Sequence, residues 1–384
     1  MNPFSFNTVA QIVSGSGEAL KLAQHCDQLR AGKLLLVTDP GLVSIGLIGP
    51  VQNALAAGGI ETTLFAQVSE DPAETVVLAA AEAGRKAGVE AVAAVGGGSS
   101  MDVAKLAAVL LAGDQPLQAM YGVDQVTGAR LPLILVPTTA GTGSEVTSVA
   151  VITTGETTKA GVSSTVLLPD VAVLDAELTL GLPAKITAMT GVDAMVHAIE
   201  AYTSKHKKNP ISDNLARSAL QYLCGNIRTA VHDGRQRNAR AAMLLGAMQA
   251  GQAFANAPVA AVHALAYPLG GHYHIPHGLS NSLVLPSVLR FNLPEACGLY
   301  AELAELVIGS AVTGSDEARA ELLISALETL IPELGLPATL AAAGVRRESL
   351  ETLAEDAMLQ QRLLINNPRE VAYEDALAIY RGAF

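Results

Sequence analysis

Four side chains in the second half of the sequence have the chemistry and the spacing of a divalent-metal site. Asp193 and His197 lie four residues apart in GVDAMVHAIEAYTS, and His263 and His277 follow in AVHALAYPLGGHYHIPHG. Residues i and i+4 share one face of a helix, so Asp193 can offer a carboxylate oxygen and His197 an imidazole nitrogen to one ion. An isolated Asp-x-x-x-His pair is more often part of a solvated helix face than of a metal site. The choice between these two interpretations therefore depends on the surrounding sequence.

The stretch from Ala241 to Leu289 favours the metal. It contains no Asp, Glu, Lys or Arg, yet four histidines fall within it: His263, His272, His274 and His277. A histidine in an apolar interior needs a partner, because burying an unpaired polar group costs about 1 to 3 kcal/mol. A metal ion is a natural partner for several imidazoles together.

Several helix-breaking residues separate the third and fourth candidate ligands. They are expected to end any helix that begins near His263, so that the chain folds back and the imidazoles converge. These residues are Pro268, Gly270, Gly271 and Pro276. The residues alone leave open which of His272, His274 and His277 is a ligand, since the first two alternate like strand positions and could bind backbone or substrate instead.

The elements that must position these side chains change character along the chain. Up to about residue 180, short apolar runs such as KLLLVTD alternate with Ala-rich helical stretches, which is typical of a parallel sheet covered on both faces. Beyond that point helical periodicity dominates, as in DNLARSALQYLCGNIRTAV. The sequence predicts an α/β domain over residues 1–181 and a helical domain, carrying the metal ligands, over residues 182–384.

Two loops at predicted strand ends have the composition of a dinucleotide site. The run VEAVAAVGGGSSMDVAK predicts a strand, a glycine turn and a helix, whose N-terminus favours a pyrophosphate. A second strand leads into Thr138, Thr139 and Thr142, whose hydroxyls can donate hydrogen bonds to phosphate or ribose. Asp39 ends KLLLVTD, where an acidic side chain binds a ribose hydroxyl and disfavours a 2′-phosphate, so NAD is preferred to NADP. Tight turns are the alternative interpretation of Asp39 and of the glycine run.

Composition narrows the class of protein. The formal net charge of −12 disfavours nucleic acid and anionic membrane surfaces as partners. Three widely spaced cysteines in 384 residues fit a reducing compartment better than a disulfide framework. The N-terminus lacks the basic start and apolar core of a secretory signal, so a cytoplasmic location is expected.

In addition to these features, four long motifs in order resemble the iron-containing (group III) alcohol dehydrogenases. They are GGGSSMDVAK at 96–105, PTTAGTGSEVT at 137–147, LPAKITAMTGVDAMVHAIEAYTS at 182–204 and HALAYPLGGHYHIPHGLSN at 263–281. The resemblance implies a Rossmann-like parallel-sheet domain followed by a helical metal-binding domain, the architecture also found in dehydroquinate synthase. It implies metal ligands at Asp193, His197, His263 and His277. It implies NAD contacts at Asp39, Gly97, Gly98, Ser99, Asp102, Thr138, Thr139, Thr142 and Lys159.

The sequence departs from the family pattern at three places. Tyr267 stands where a histidine with a proton-transfer role is common, and we assign it a candidate catalytic role. Asp71 replaces an asparagine before Pro72, and Leu363 replaces a cysteine near the Asn-Pro-Arg motif. The tyrosine is similar to a branch that includes hydroxyacid-oxoacid transhydrogenases.

The resulting expectation is reversible hydride transfer between NAD(H) and a small alcohol, aldehyde, ketone or hydroxy acid, in a homo-oligomer that is expected to be a dimer. Four protein ligands fill a tetrahedral zinc shell, whereas catalysis needs an open position, so Fe(II) is favoured, with Zn(II) as the alternative. A 4-hydroxy acid dehydrogenase or hydroxyacid-oxoacid transhydrogenase is a second possibility. A dehydroquinate synthase-like lyase, which uses NAD only transiently, is an alternative of another class.

Overall fold

The computed structural model describes residues 3–155 and 158–384, and these form two compact units. The α/β unit comprises residues 7–139 and 143–180. The helical unit comprises residues 3–6, 140–142 and 181–384. The parallel sheet and the helical second half agree with the fold class predicted from the sequence. The chain enters the helical unit at Gly181, one residue before the predicted domain boundary.

The α/β unit is built on a parallel sheet. This unit contains the parallel sheet and a smaller second sheet. The strands of both, in chain order, are β1 Gln11–Ser14, β2 Lys33–Val37, β3 Glu61–Phe65, β4 Ala91–Gly96, β5 Gly122–Val123, β6 Leu133–Pro137, β7 Val149–Thr154, β8 Thr158–Ser163 and β9 Val171–Leu174. Its helices are α1 Leu22–Gln28, α2 Pro40–Ser44, α3 Ile48–Ala57, α4 Glu74–Ala87 and α5 Gly98–Ala112. The strand order in the larger sheet is β1-β9-β6-β4-β2-β3, and all its pairings are parallel.

Continuous apolar strands suit this sheet because both of its faces are covered. In β2, Leu35 and Val37 belong to the core on one face, and Leu34 and Leu36 belong to the core on the other. Alternate residues of a strand point to opposite faces, so a strand buried on both sides must be apolar throughout. The carboxyl ends of β2, β4 and β6 therefore lie side by side at one edge of the sheet.

A three-stranded sheet in the order β5-β8-β7 adds to the α/β unit, and the sequence analysis missed it. Its β7 and β8 pair antiparallel. An antiparallel pair lies outside the strand-helix alternation that the rest of the unit follows, so the parallel-sheet pattern does not predict it.

The helical unit brings its long helices together around the candidate ligands. Its helices are α6 Ala184–Thr203, α7 Pro210–His232, α8 Arg237–Asn256, α9 Ala261–Tyr273, α10 His277–Ile308, α11 Asp316–Glu333, α12 Leu350–Met358, α13 Gln361–Leu364 and α14 Tyr373–Gly382. Helix α6 packs against α7, α8 and α10, and α9 packs against α10, α12 and α13. In the described part of the chain, no helix is both long and apolar enough to cross a membrane.

The helix that begins near His263 ends before His277, as predicted, but it passes through Pro268 and the neighbouring glycines first. Helix α9 continues through Pro268 to Tyr273 and ends at His274, which adopts a left-handed conformation with φ 52°. A proline removes only one hydrogen bond from a helix, and the buried packing of α9 tolerates that loss. The turn that returns the chain to the site is therefore residues 274–276, directly before α10.

Candidate functional site

Three helices of the helical unit bring the four predicted metal ligands together. Asp193 and His197 lie one turn apart on α6, His263 lies in the first turn of α9, and His277 is the first residue of α10. One donor atom from each side chain lies within 4.8 Å of every other. Such a separation is compatible with ligation of one ion by all four residues.

The two other histidines of the same stretch lie outside this cluster. His272 Nε2 lies 2.5 Å from Asp356 Oδ2 in an exposed pair, and His274 ends α9. Among the alternatives that the residues alone left open, only His277 has its imidazole among the other candidate ligands within the described residues.

The charge states of the cluster suit a cation. Burial lowers the pKa of His197 to about 3, so its ring is neutral and has a lone pair available. Burial alone would raise the pKa of Asp193, but His197, His277, His263 and a hydrogen bond from Asn281 outweigh it and lower the pKa. An ionised carboxylate and neutral imidazoles are the forms that bind metals.

Glu200 contacts one of the candidate ligands. Its Oε2 lies 2.6 Å from His263 Nδ1, and its Oε1 accepts a hydrogen bond of 2.7 Å from the Val262 backbone N–H. The side chains of Glu200 and His263 are only 5% and 3% exposed, so water does not compete for this bond. A carboxylate on one ring nitrogen fixes the tautomer and leaves the other nitrogen free to ligate a metal. Glu200 is not among the residues predicted from the sequence, although its position seven residues after Asp193 on α6 indicates the same helix face.

Asn281 contacts three of the four candidate ligands. Its Nδ2 lies 2.6 Å from Asp193 Oδ1 and 3.3 Å from Nε2 of both His263 and His277. One amide group therefore faces three of the four donors. Asn281 lies one turn after His277 on α10, a signal that the sequence analysis also missed.

The donor set fits a divalent transition ion. One carboxylate and three imidazoles are the mixed oxygen and nitrogen ligands that iron and zinc accept. The charge states of Asp193 and His197 and the mutual distances of the four donors are those that such an ion requires.

Tyr267 lies one turn after His263 on α9, with its ring centroid 5.8 Å from that of His277. Burial raises the pKa of its hydroxyl, an effect that the positive charge of Arg362 only partly offsets. The phenol is therefore protonated at neutral pH and can donate a hydrogen bond. The structure thus gives the residue predicted as catalytic a location beside the ligands.

The glycine and threonine loops meet at the carboxyl edge of the parallel sheet. Gly97 is the N-cap of α5 directly after β4, and Thr138 follows the neighbouring strand β6. The Thr138 N–H donates to the Gly96 carbonyl at 3.0 Å, which joins the two loops. Gly97, Gly98 and Ser99 are partly exposed, so the amides at the start of α5 are open to a phosphate.

Asp39 follows the adjacent strand β2 at the same sheet edge. Its Oδ1 accepts a hydrogen bond of 2.9 Å from the Leu42 N–H and caps α2. The turn interpretation and the ribose interpretation are compatible, because a carboxylate has two oxygens.

The remaining predicted cofactor residues have protein partners of their own. Asp102 accepts hydrogen bonds from Ser144 Oγ at 2.7 Å and from the Val151 N–H at 2.9 Å. Lys159 Nζ lies 2.5 Å from Asp71 Oδ1. Their roles in cofactor binding stay predictions. Thr142 belongs to residues 140–142 of the helical unit, unlike the rest of the predicted cofactor set.

Comparison with known families decides the identity of this arrangement. The family model described as iron-containing alcohol dehydrogenase matches residues 10–176, and the C-terminal model of the same family matches residues 187–384. The chain belongs to the iron-containing alcohol dehydrogenase family. The resemblance inferred from the four motifs is thereby confirmed.

Relatives match along nearly the whole chain. Long-chain-alcohol dehydrogenase 1 of Geobacillus thermodenitrificans is 40% identical, over 96% of this chain and 94% of its own. The sulfoacetaldehyde reductase of Bilophila wadsworthia is 38% identical over 99% of both chains. A crystal structure of 1,3-propanediol oxidoreductase aligns over 100% of both chains with a TM-score of 0.96 and 36% identity.

Family and structure together establish the class of reaction. The protein is an NAD-dependent, metal-dependent oxidoreductase that transfers hydride between the nicotinamide and an alcohol or its carbonyl product. Iron and NAD are the cofactors of the family, and the helical unit carries a cluster of one aspartate and three histidines that suits the metal.

Proposed function

We propose that Asp193, His197, His263 and His277 hold the catalytic Fe(II), and that the protein interconverts a small alcohol and its aldehyde or ketone. The observation that carries this proposal is the set of four donor atoms within 4.8 Å of one another in a chain of this family. Four protein ligands leave an open position on an ion that accepts five or six, which favours iron over zinc.

Each part of the chain has a defined task in this proposal. A divalent cation held there supplies Lewis acidity to the substrate oxygen, which favours loss of its proton and hydride transfer from the neighbouring carbon. Glu200 keeps the ring of His263 in its ligating tautomer. The protonated phenol of Tyr267 is the candidate proton donor to the carbonyl oxygen during reduction, and its anion accepts that proton in reverse.

We further propose that NAD binds at the carboxyl edge of the parallel sheet. Gly97, Gly98 and Ser99 at the start of α5 receive the pyrophosphate, supported by the exposure of these residues at a helix N-terminus. Thr138, Thr139 and Thr142 bind phosphate or ribose oxygens. The carboxylate of Asp39 binds the ribose and selects NAD over NADP.

The remaining cofactor contacts come from two charged side chains. We propose that Asp102 and Lys159 contact bound NAD, each by giving up one of its present protein partners. Both already have protein partners, so their contribution is expected to be smaller than that of the glycine loop.

The names of the relatives indicate both neutral and anionic substrates. They include a long-chain-alcohol dehydrogenase and a 1,3-propanediol dehydrogenase, which act on neutral molecules, and a sulfoacetaldehyde reductase, whose substrate carries a sulfonate. We propose a short substrate for this chain, with a 4-hydroxy acid or another anionic alcohol as the class to compare with plain alcohols.

We also propose a cytoplasmic homodimer. The cysteines Cys26, Cys224 and Cys297 are all unpaired, which suits a reducing compartment. Strand β1 forms an edge of the sheet, with Ile12 38% exposed, and an exposed strand edge is a surface on which a second copy can pair.

The test is a substrate panel with anaerobically purified, iron-loaded protein and NAD. We expect NADH formation at 340 nm with at least one alcohol or hydroxy acid, and its loss by about 100-fold or more in His263→Ala, because one ligand of the metal is gone. The matched control is His206→Ala, which removes an exposed histidine from outside the cluster.

Three results would contradict the proposal. One is a His263→Ala variant that binds iron stoichiometrically and turns over normally. The second is equal activity of the zinc-loaded and iron-loaded protein, which would remove the preference for iron. The third is turnover without net NADH, which would indicate lyase chemistry with transient use of the cofactor.

A further inference from the structure

A lysine of the α/β unit is fully buried. Lys105 lies on α5, about two turns after the N-cap Gly97, and its side chain is 0% exposed. Lysine is almost never fully buried unless its charge has partners, because burying an unpaired ammonium is costly. The position of Lys105 in the helix that follows the glycine loop makes those partners worth identifying.

Three oxygen atoms accept hydrogen bonds from this ammonium group. Lys105 Nζ donates to Ser144 Oγ at 2.8 Å, to Thr147 Oγ1 at 3.1 Å and to the Val149 carbonyl oxygen at 2.7 Å. An ammonium has three N–H donors, so all of them are used. The three acceptors lie between residues 144 and 149, in the connection from β6 to β7 that follows the threonine loop. Lys105 therefore fastens this connection to α5.

The same network holds Asp102, one of the predicted NAD contacts. Asp102 lies one turn before Lys105 on α5, with Oδ1 3.8 Å from Nζ, and its side chain is 14% exposed. Ser144 Oγ donates to Asp102 Oδ1 at 2.7 Å, and the Val151 N–H donates to Oδ2 at 2.9 Å. When Asp102 gives up one of these bonds to contact NAD, the ammonium still lies beside its carboxylate.

The charge of Lys105 is balanced by two carboxyl groups, those of Asp102 and Glu145. Burial lowers the pKa of Lys105 to about 8, and these two carboxyl groups partly offset that effect. Burial raises the pKa of Asp102, and the ammonium of Lys105 opposes this rise. Lys105 is therefore mostly charged at pH 7 and loses its proton as the pH rises through about 8.

We propose that Lys105 is a positioning residue for NAD, whose ammonium holds the Asp102 carboxylate and the segment 144–149 in one fixed arrangement on α5. This inference rests on the proposed NAD site at the carboxyl edge of the sheet. Lys105 is buried and acts on the cofactor only through Asp102 and the segment that follows the threonine loop. All of its hydrogen-bond acceptors named above lie in the α/β unit, so the metal cluster of the helical unit should be unaffected by its loss.

The experiment measures the dissociation constant of NADH by fluorescence titration of iron-loaded wild type, Lys105→Met and Lys105→Gln. Methionine keeps an unbranched side chain without charge or N–H donors, and glutamine keeps two N–H donors without the charge. The matched control is Lys86→Met, which removes a lysine of α4 that is 75% exposed. Melting temperature and Fe(II) affinity are measured for each variant, so that a folding defect is recognised.

We expect Lys105→Met to raise the dissociation constant and the KM of NADH by about 10- to 100-fold, because charged hydrogen bonds that fix the site are lost. Its kcat at saturating NADH and its Fe(II) affinity should stay within about threefold of wild type. Lys105→Gln should recover part of the NADH affinity, and Lys86→Met should leave it unchanged. Unchanged NADH affinity in a folded Lys105→Met, or an equal loss of Fe(II) affinity, would overturn the positioning role.

A pH profile gives a second test that does not require the variant to fold. Wild-type NADH affinity should fall by about 10-fold between pH 7 and pH 9.5, as Lys105 loses its charge. Lys105→Met should lack this fall, and Glu145→Gln should keep it, because the pKa of Glu145 is about 7 and its titration is nearly complete below that range. A constant wild-type affinity from pH 7 to pH 9.5 would overturn the proposal. Failure of wild type to bind NADH at any pH would instead refute the proposed NAD site.

Discussion

The Glu200→Gln substitution tests whether the bond between Glu200 and His263 tunes the metal site. Glutamine has nearly the same size, so the buried position stays filled. The carboxylate now accepts from two donors, His263 Nδ1–H at 2.6 Å and the Val262 N–H at 2.7 Å. An amide has a single acceptor oxygen and presents an NH2 group to the other donor.

In Glu200→Gln, we expect the ring of His263 to change its tautomer. If the glutamine oxygen keeps the Val262 N–H, its NH2 group requires an acceptor at Nδ1, which moves the ring proton to Nε2. A protonated Nε2 cannot ligate a metal. Removal of such an orienting partner typically weakens metal binding by about 10- to 100-fold, or about 1.4 to 2.7 kcal/mol.

Metal affinity is measured on metal-free protein, by competition of Fe(II) or Zn(II) with a chelating indicator under anaerobic conditions. Glu295→Gln is the control, because it removes an exposed carboxylate from α10, the helix that carries His277. Affinity of Glu200→Gln within about threefold of wild type, in a folded protein, would refute the reasoning. A loss of equal size in Glu295→Gln would show that overall charge, and not orientation of His263, controls binding.

Two further substitutions test the helical and the α/β unit separately. In Gly278→Ala, the new Cβ on α10 would lie 2.4 Å from the Met189 carbonyl oxygen on α6. We therefore expect the unfolding free energy to fall by about 1 to 3 kcal/mol and metal binding to weaken. Gly298→Ala, also on α10, should be neutral or stabilising. Denaturant titration checks this, and equal stability of the two variants would contradict it. Burial raises the pKa of Glu145 from 4.5 to about 7, so the folded state binds its proton more tightly and stability should fall as pH rises from about 4.5 to about 7. Glu145→Gln should remove up to about 3 kcal/mol of that fall, and an unchanged slope of unfolding free energy against pH would contradict the assignment.

Local patterns were sufficient to predict much of the candidate site. Asp193 and His197 share a helix face because their spacing matches the helical repeat, and the glycine run beginning at Gly96 stands between a strand and a helix in the sequence itself. Glu200 follows the same repeat and was predictable in principle. The spacing alone does not reveal that its partner is His263 on another helix.

Other features depend on contacts between distant segments. The proline rule failed at Pro268 because the packing around α9 outweighs the loss of one backbone hydrogen bond. Glu200 and His263 lie 63 positions apart in the sequence, on α6 and α9, and only the packing of the helical unit brings Glu200 Oε2 to 2.6 Å from His263 Nδ1.

The amino-acid sequence by itself determined the division into an α/β and a helical half, the candidates Asp193, His197 and His263 for a metal site, and the two loops at the strand ends. These follow from periodicity and residue chemistry, which act over a few neighbouring residues. Only the tertiary structure decided that His277, and not His272 or His274, joins the cluster, and that Glu200 contacts His263. Those choices depend on distances between helices, and such distances are set by packing of the whole core, which no local pattern encodes.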